Sequence, residues 1–218
     1  MNRDVTFVAF PGWATDHDVF VKHRLPGRVT SVPDGEGRIS TIERMNHPVW
    51  LLGWSLGAHA ALEIGATAPR NVRGVILAGI RPVYPADAIS AIRARFAQNP
   101  QTCLTSFYRQ CFHGAPKEWM NCEGKRLIDH YTRNWDAERL LDGLALLETK
   151  PLRIDRAGNL KVLALHGERD RIAPIDEARA LIGSSVNATF CAIPSAGHAV
   201  FLDAGCTETV AQWILNQS

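Results

Sequence analysis

The stretch PVWLLGWSLGA (residues 48–58) changes character at its centre. PVWLLGW (48–54) reads as a buried strand, whereas LGAHAALEIGATA (56–68) reads as a helix closed by Pro69. Ser55 sits at the junction, between Gly53 and Gly57. Taken alone, a glycine-flanked serine is also common in ordinary turns. Between a strand and a helix, however, it occupies a sharp turn where flanking glycines relieve crowding and the hydroxyl projects from the strand end. The following helix then offers free N–H groups and a positive partial charge to any oxyanion formed there.

Working outward, the chain alternates. VTFVAF (5–10), RVTSVPD (28–34), VRGVILAGI (72–80), LKVLALHG (160–167) and NATFCAIP (187–194) read as strands. ISTIERMN (39–46), IDEARALIG (175–183) and ETVAQWILN (208–216) read as helices. Near-continuous apolar strands alternating with helices predict an α/β fold with a mostly parallel sheet covered on both faces. In such sheets chemistry gathers beyond the carboxyl ends of the strands. Residues 81–150 break the alternation with several helices and no convincing strand, and the sheet order resumes at once. The expectation is one domain over 1–218 with a helical lid over 81–150 inserted between two sheet strands.

Composition narrows the function classes. The chain has 218 residues, of which 46% are hydrophobic and 21% charged, enough for one domain with a sizeable core. A formal charge of +2 gives no support for nucleic-acid binding by bulk electrostatics. No apolar run approaches the ~20 residues of a membrane span, and the six-residue apolar stretch before Pro11-Gly12 does not read as a signal peptide. Five cysteines, irregularly spaced, fit reduced thiols in a cytoplasm. Cys103, Cys111, His113 and Cys122 lack the pairwise spacing of metal ligands, so neither a metal nor another cofactor is expected.

A serine nucleophile needs a base, and the base an orienting carboxylate; in this topology acid and histidine follow the serine in that order. Asp170 lies in the loop after LKVLALHG and His198 in the loop after NATFCAIP. Ser55, Asp170 and His198 are therefore the predicted triad, with Glu168 as the alternative acid. His59, four residues past Ser55, reads as a packed histidine, and His166 as closing its loop. His17, His23, His47, His113 and His130 read as surface residues. The oxyanion donors are expected to be the N–H groups of Leu56 and of Trp13, since Pro11 has none.

These pieces resemble the α/β-hydrolase superfamily over nearly the whole length. Gly12-Trp13, the Pro33-Asp34-Gly35-x-Gly37-x-x-Ser40 loop and Gly53-Trp54-Ser55-Leu56-Gly57 are similar to the pimeloyl-[acyl-carrier protein] methyl ester esterases of biotin synthesis. So are Leu165-x-Gly167-x-x-Asp170-x-x-x-Pro174 and Ala196-x-His198-Ala199-x-Phe201. The chain departs from that family in having Pro11 where histidine is usual. It is also shorter, and the two antiparallel strands that normally open the fold are expected to be missing. The resemblance implies a serine carboxylesterase, with Trp13, Trp54, Phe107 and Phe112 as candidate substrate contacts. Alternatives are a thioesterase or other small-acyl hydrolase with the same triad, and a non-catalytic acyl-binding or carrier-docking protein. A dehalogenase is disfavoured, because those enzymes place aspartate where Ser55 stands. Between Asp87 and Glu118 the charged side chains are Arg93, Arg95, Arg109 and Lys117, interleaved with Phe96, Phe107, Tyr108 and Phe112. That pattern reads either as an acyl tunnel with a basic rim for an acidic acyl-carrier protein, or as an amphipathic lid with solvated arginines.

Overall fold

Strand β1 (Thr6–Phe10) is completely buried and pairs with β2 (Arg28–Thr30) on one side and β3 (Val49–Trp54) on the other. With β4 (Val72–Ala78), β5 (Lys161–Gly167) and β6 (Ala188–Ile193) these form a six-stranded sheet of order β2-β1-β3-β4-β5-β6. Every pairing is parallel. This computed structural model describes residues 5–33, 35, 37–67, 69–183 and 185–217. Residues 1–4, where the absence of opening strands was expected, lie outside that set, as do Asp34 of the Pro-Asp-Gly loop and Ala68.

Side-chain alternation along the strands divides the core into two layers. Phe7, Ala9, Trp50, Leu52, Ile76, Leu163 and Leu165 face one side, where Val210 and Trp213 of α9 (Gly205–Leu215) pack. Val8, Phe10, Leu51, Val75, Leu77, Val162 and Ala164 face the other. There they meet Ile42 of α1 (Arg38–Glu43), Ala58 and Leu62 of α2 (Gly57–Ala66), and Ile182 of α8 (Ile175–Gly183). The strand expected over 28–34 is only three residues long. It is a partly exposed edge strand, so little burial rewards extending it.

Between β4 and β5 the chain forms α3 (Ala86–Gln98), α4 (Pro100–Cys111), α5 (Lys117–Trp119), a π-helical segment (Met120–Gly124), α6 (Lys125–Arg133) and α7 (Ala137–Thr149). Asn99 caps α4 by accepting from Thr102 N, with Pro100 in the first turn where a missing N–H costs nothing. Asp136 caps α7 in the same way, accepting from Glu138 N and Arg139 N. The insertion leaves and re-enters the sheet layer at one place: Leu152 N donates to Pro82 O at 2.7 Å and Tyr84 N to Leu147 O at 3.2 Å. It is fastened to the sheet layer by Trp119 Nε1 donating to Val21 O at 3.1 Å and Tyr131 Oη to Asp16 Oδ1 at 2.6 Å.

Candidate active site

The sheet order reverses at β1, because β2 lies on one side of it and β3 on the other. The crevice between the carboxyl ends of β1 and β3 is therefore the topological switch point. Gly12-Trp13 and Ser55 are the residues that follow those two strand ends.

Ser55 has φ +52°, a left-handed conformation costly for a residue with a Cβ. The neighbourhood holds it there. Ser55 N donates to Ala78 O at 2.9 Å, and the two flanking glycines leave room for the turn. A Cβ on Gly57 would lie 2.1 Å from Phe10 O, and one on Gly53 would lie 2.5 Å from Ala58 Cα. Glycine at both places lets α2 start directly against β1.

The Gly12 side of the crevice lies against the same turn, since a Cβ on Gly12 would be 3.3 Å from Ser55 Cβ. Thr15 Oγ1 donates to Gly12 O at 2.9 Å and the Tyr108 hydroxyl to Ala14 O, so the loop carrying Trp13 is tied down. Among the described residues, no turn or loop hydrogen bond to a backbone acceptor takes the N–H of Trp13 or of Leu56.

Asp170 and His198 meet across the ends of β5 and β6. His198 Nδ1 lies 2.8 Å from Asp170 Oδ2, and both side chains are buried. Asp170 Oδ1 accepts from Ile172 N at 2.8 Å and Ala173 N at 2.9 Å. Burial alone would raise the Asp170 pKa. The adjacent His198, by charge and hydrogen bond, with the Ala173 N–H and His166, more than offsets that and holds it below the usual carboxylate range. An ionised Asp170 fixes the proton on Nδ1 and leaves Nε2 as the acceptor nitrogen. His198 O takes a hydrogen bond from Trp54 Nε1 at 3.0 Å, and its ring lies where a side chain on Gly79 would otherwise be. Ser55 Oγ has the Tyr84 hydroxyl as its hydrogen-bond partner, at 3.5 Å, and no hydrogen bond joins it to His198 among the described residues. Nucleophile–base contacts are commonly loose before substrate arrives.

A chamber of about 240 Å³ opens over Ser55, walled by Trp13, Tyr84, Ile89, Phe107 and Leu144 among others. Trp13 and Phe107 meet edge to face, with ring centroids 4.7 Å apart. Two of the candidate substrate contacts lie elsewhere. Trp54 is buried beneath His198 and Phe201, and Phe112 packs on Tyr108 and Trp119 in the core. The resemblance marked Trp13 and Trp54 and the aromatic pattern of the insertion marked Phe107 and Phe112, but the facing of each is set by packing. A larger groove of about 910 Å³ runs on the far side of Trp13 and does not include Ser55.

Glu168 is exposed, away from the Asp170–His198 pair. His166 does close its loop, with Nε2 2.8 Å from Ala173 O, and it also stands 3.3 Å from Asp170 Oδ2. Of the five histidines read as surface residues only His130 is exposed; His17, His23, His47 and His113 are half-buried. Arg93 is spent on Glu148 at 2.6 Å, Arg95 is exposed at the chamber wall, and Arg109 and Lys117 are exposed. Sequence reasoning missed Tyr84 and Arg81, although RPVY directly follows a strand end, which is the position that singled out Asp170 and His198.

Comparison with known proteins agrees with this architecture. The Alpha/beta hydrolase family profile matches residues 3–212. The biotin biosynthesis bifunctional protein of Cellvibrio japonicus is 32% identical over 92% of this chain, which spans 45% of that protein's length. The pimeloyl-[acyl-carrier protein] methyl ester esterase of Methylococcus capsulatus is 28% identical over 90% of this chain and 83% of its own. The enzyme of that name from Serratia marcescens is 26% identical over 70% of this chain and 64% of its own. Among solved structures, a bromoperoxidase from Bacillus anthracis superposes with a TM-score of 0.75 at 15% identity, covering 98% of this chain and 91% of the other. An esterase from Exiguobacterium antarcticum gives 0.72 at 17% identity, covering 100% and 93%. With its parallel sheet, its strand–turn–helix at Ser55 and a family profile spanning nearly its whole length, the chain belongs to the alpha/beta hydrolase family.

Proposed function

We propose that the protein is a serine carboxylic ester hydrolase whose triad is Ser55, His198 and Asp170. The observation that carries this reading is the buried Asp170–His198 hydrogen bond of 2.8 Å, set at the same end of the sheet as a serine held at φ +52°. His198 Nε2 takes the Ser55 proton as Oγ attacks the ester carbonyl, and the N–H groups of Leu56 and Trp13 receive the oxyanion. His198 then protonates the leaving alcohol and afterwards activates the water that frees the acid. Asp170 keeps the imidazole oriented and its proton on Nδ1. The helices of 81–150 act as a lid that shapes the acyl chamber.

The specific substrate proposed is the methyl ester of a pimeloyl chain on its acyl-carrier protein. Support comes from the names of the relatives, from a chamber walled mainly by apolar side chains and from exposed cations of the lid, Arg95, Arg109 and Lys117. The free thiols suit a reducing compartment such as the cytoplasm.

The test is turnover by wild type and Ser55→Ala on p-nitrophenyl esters and on the methyl ester, carrier-bound and free. Loss of at least about 10³-fold in the variant is expected, with covalent fluorophosphonate labelling only in the wild type. Retained turnover in Ser55→Ala would sink the mechanism. Equal rates on carrier-bound and free methyl ester would remove the role of the lid cations.

A further inference from the structure

Tyr84, near the start of the insertion, lines the chamber with Ser55, and it is held from several sides. Its backbone N–H is bonded to Leu147 O, and its ring lies under the Arg81 guanidinium at 4.9 Å. Arg81 is in turn gripped by Glu177 of α8 through two hydrogen bonds, of 2.8 and 3.0 Å. The hydroxyl reaches 3.5 Å from Ser55 Oγ and lines the chamber over it. Burial pushes the phenol well above its usual range, so it remains protonated and remains a donor.

A serine hydroxyl has one proton, and in the triad that proton is destined for His198 Nε2. With Tyr84 as the donor of this pair, its O–H enters a lone pair of Oγ and the serine proton stays free for the base. Once Oγ bonds to the ester carbon, three oxygens share that carbon. The oxyanion belongs to the Leu56 and Trp13 amides, and Oγ is now in covalent linkage and a poorer acceptor. The third, the alkoxy oxygen, is one bond angle from Oγ and gains charge as its bond to carbon breaks.

We infer that Tyr84 is a further catalytic residue, whose O–H passes from Ser55 Oγ to the departing alkoxy oxygen and makes the site selective for oxygen esters over thioesters. This rests on the serine-hydrolase reading. The balance is simple. The C–Oγ bond forms while the serine proton goes to His198; the C–O bond to the alkoxy group breaks with its electron pair on oxygen; that oxygen takes the proton from His198. Tyr84 begins and ends protonated. Sulfur is a weak acceptor, so a thioester gains nothing from the same hydroxyl. A substrate carrying both a methyl ester and a thioester link to its carrier would thus be cut at the ester.

The experiment is Tyr84→Phe, which keeps the ring under Arg81, assayed as kcat/KM on one acyl chain with three leaving groups: methoxide, p-nitrophenolate and an alkyl thiolate. The expected result is a loss of about tenfold to a hundredfold on the methyl ester. The p-nitrophenyl ester, whose leaving group needs no help, and the thioester should change by less than about threefold. Equal loss on all three, or no loss on the methyl ester, would overturn the proposal. Melting temperature and fluorophosphonate labelling of the variant report folding and an intact Ser55. If wild-type turnover proves independent of Ser55, it is the underlying hydrolase reading that has failed.

Discussion

Asp170 collects more fixed hydrogen bonds than a surface carboxylate could. Two backbone N–H groups hold one oxygen, while His198 and His166 stand at the other. Replacing it with Asn puts an NH2 group where an acceptor is required and lets His198 take the wrong tautomer. Turnover of Asp170→Asn should fall by about 10³- to 10⁴-fold with little change in KM, which steady-state kinetics on a p-nitrophenyl ester would show. A fall of less than tenfold would mean that another group orients His198. The placement of Ser55, Asp170 and His198 just past strand ends was legible in the sequence, because each falls one loop past an apolar strand. Tyr84 was not, because it lies in the segment where the alternation stops and no pattern says which way its ring turns. Trp54 and Phe112 were misread for a related reason. Aromatic residues near a site are as often its foundation as its lining.

At the scale of elements, the β3–turn–α2 unit is a matter of clearance. Gly57 faces Phe10 O so closely that even a methyl group would force α2 away from β1. Gly57→Ala should cost about 3 kcal/mol and displace the Leu56 N–H from Ser55. Chemical denaturation and fluorophosphonate labelling together would register both effects; a variant of wild-type stability would show that α2 can shift freely. The strands and the helices on the sheet were readable from period and from stop signals such as Pro69. The short 3-10 turn at His17–Phe20 and the π-helical segment at Met120–Gly124 were not, because neither has a periodic apolar signature of its own. Both are set by what they pack against.

For the whole molecule, the strand order matters more than any one strand, because the reversal at β1 opens the crevice that Trp13 and Ser55 share. The order was implied only loosely by alternation; which strand sits next to β1 is decided by long-range packing. Protonation supplies a second global property. Burial, reinforced by Lys150, pushes His59 down to about 4, and burial likewise lowers His166 and His23. Below about pH 6.5 the unfolded chain takes up protons at these sites that the folded chain refuses. Stability should therefore fall as pH drops from about 6.5 toward 4, well before Asp170, with its lowered pKa, is protonated. Melting temperatures across that range should show the decline, with a shallower slope in His59→Gln. An unchanged slope would mean that His59 is as easily charged in the folded protein as in the unfolded one.

The junction at Pro82 and Leu152 carries a consequence for how such a chain changes over generations. Because the two ends of the insertion already touch, lengthening or shortening what lies between them strains neither β4 nor β5. The entropic cost of such a loop grows only with the logarithm of its length, about 0.6 kcal/mol per doubling. The helical segment is in effect an exchangeable cassette. Descendants are free to trade it for one that shapes a different chamber over Ser55, while the strand ends bearing Ser55, Asp170 and His198 stay where they are.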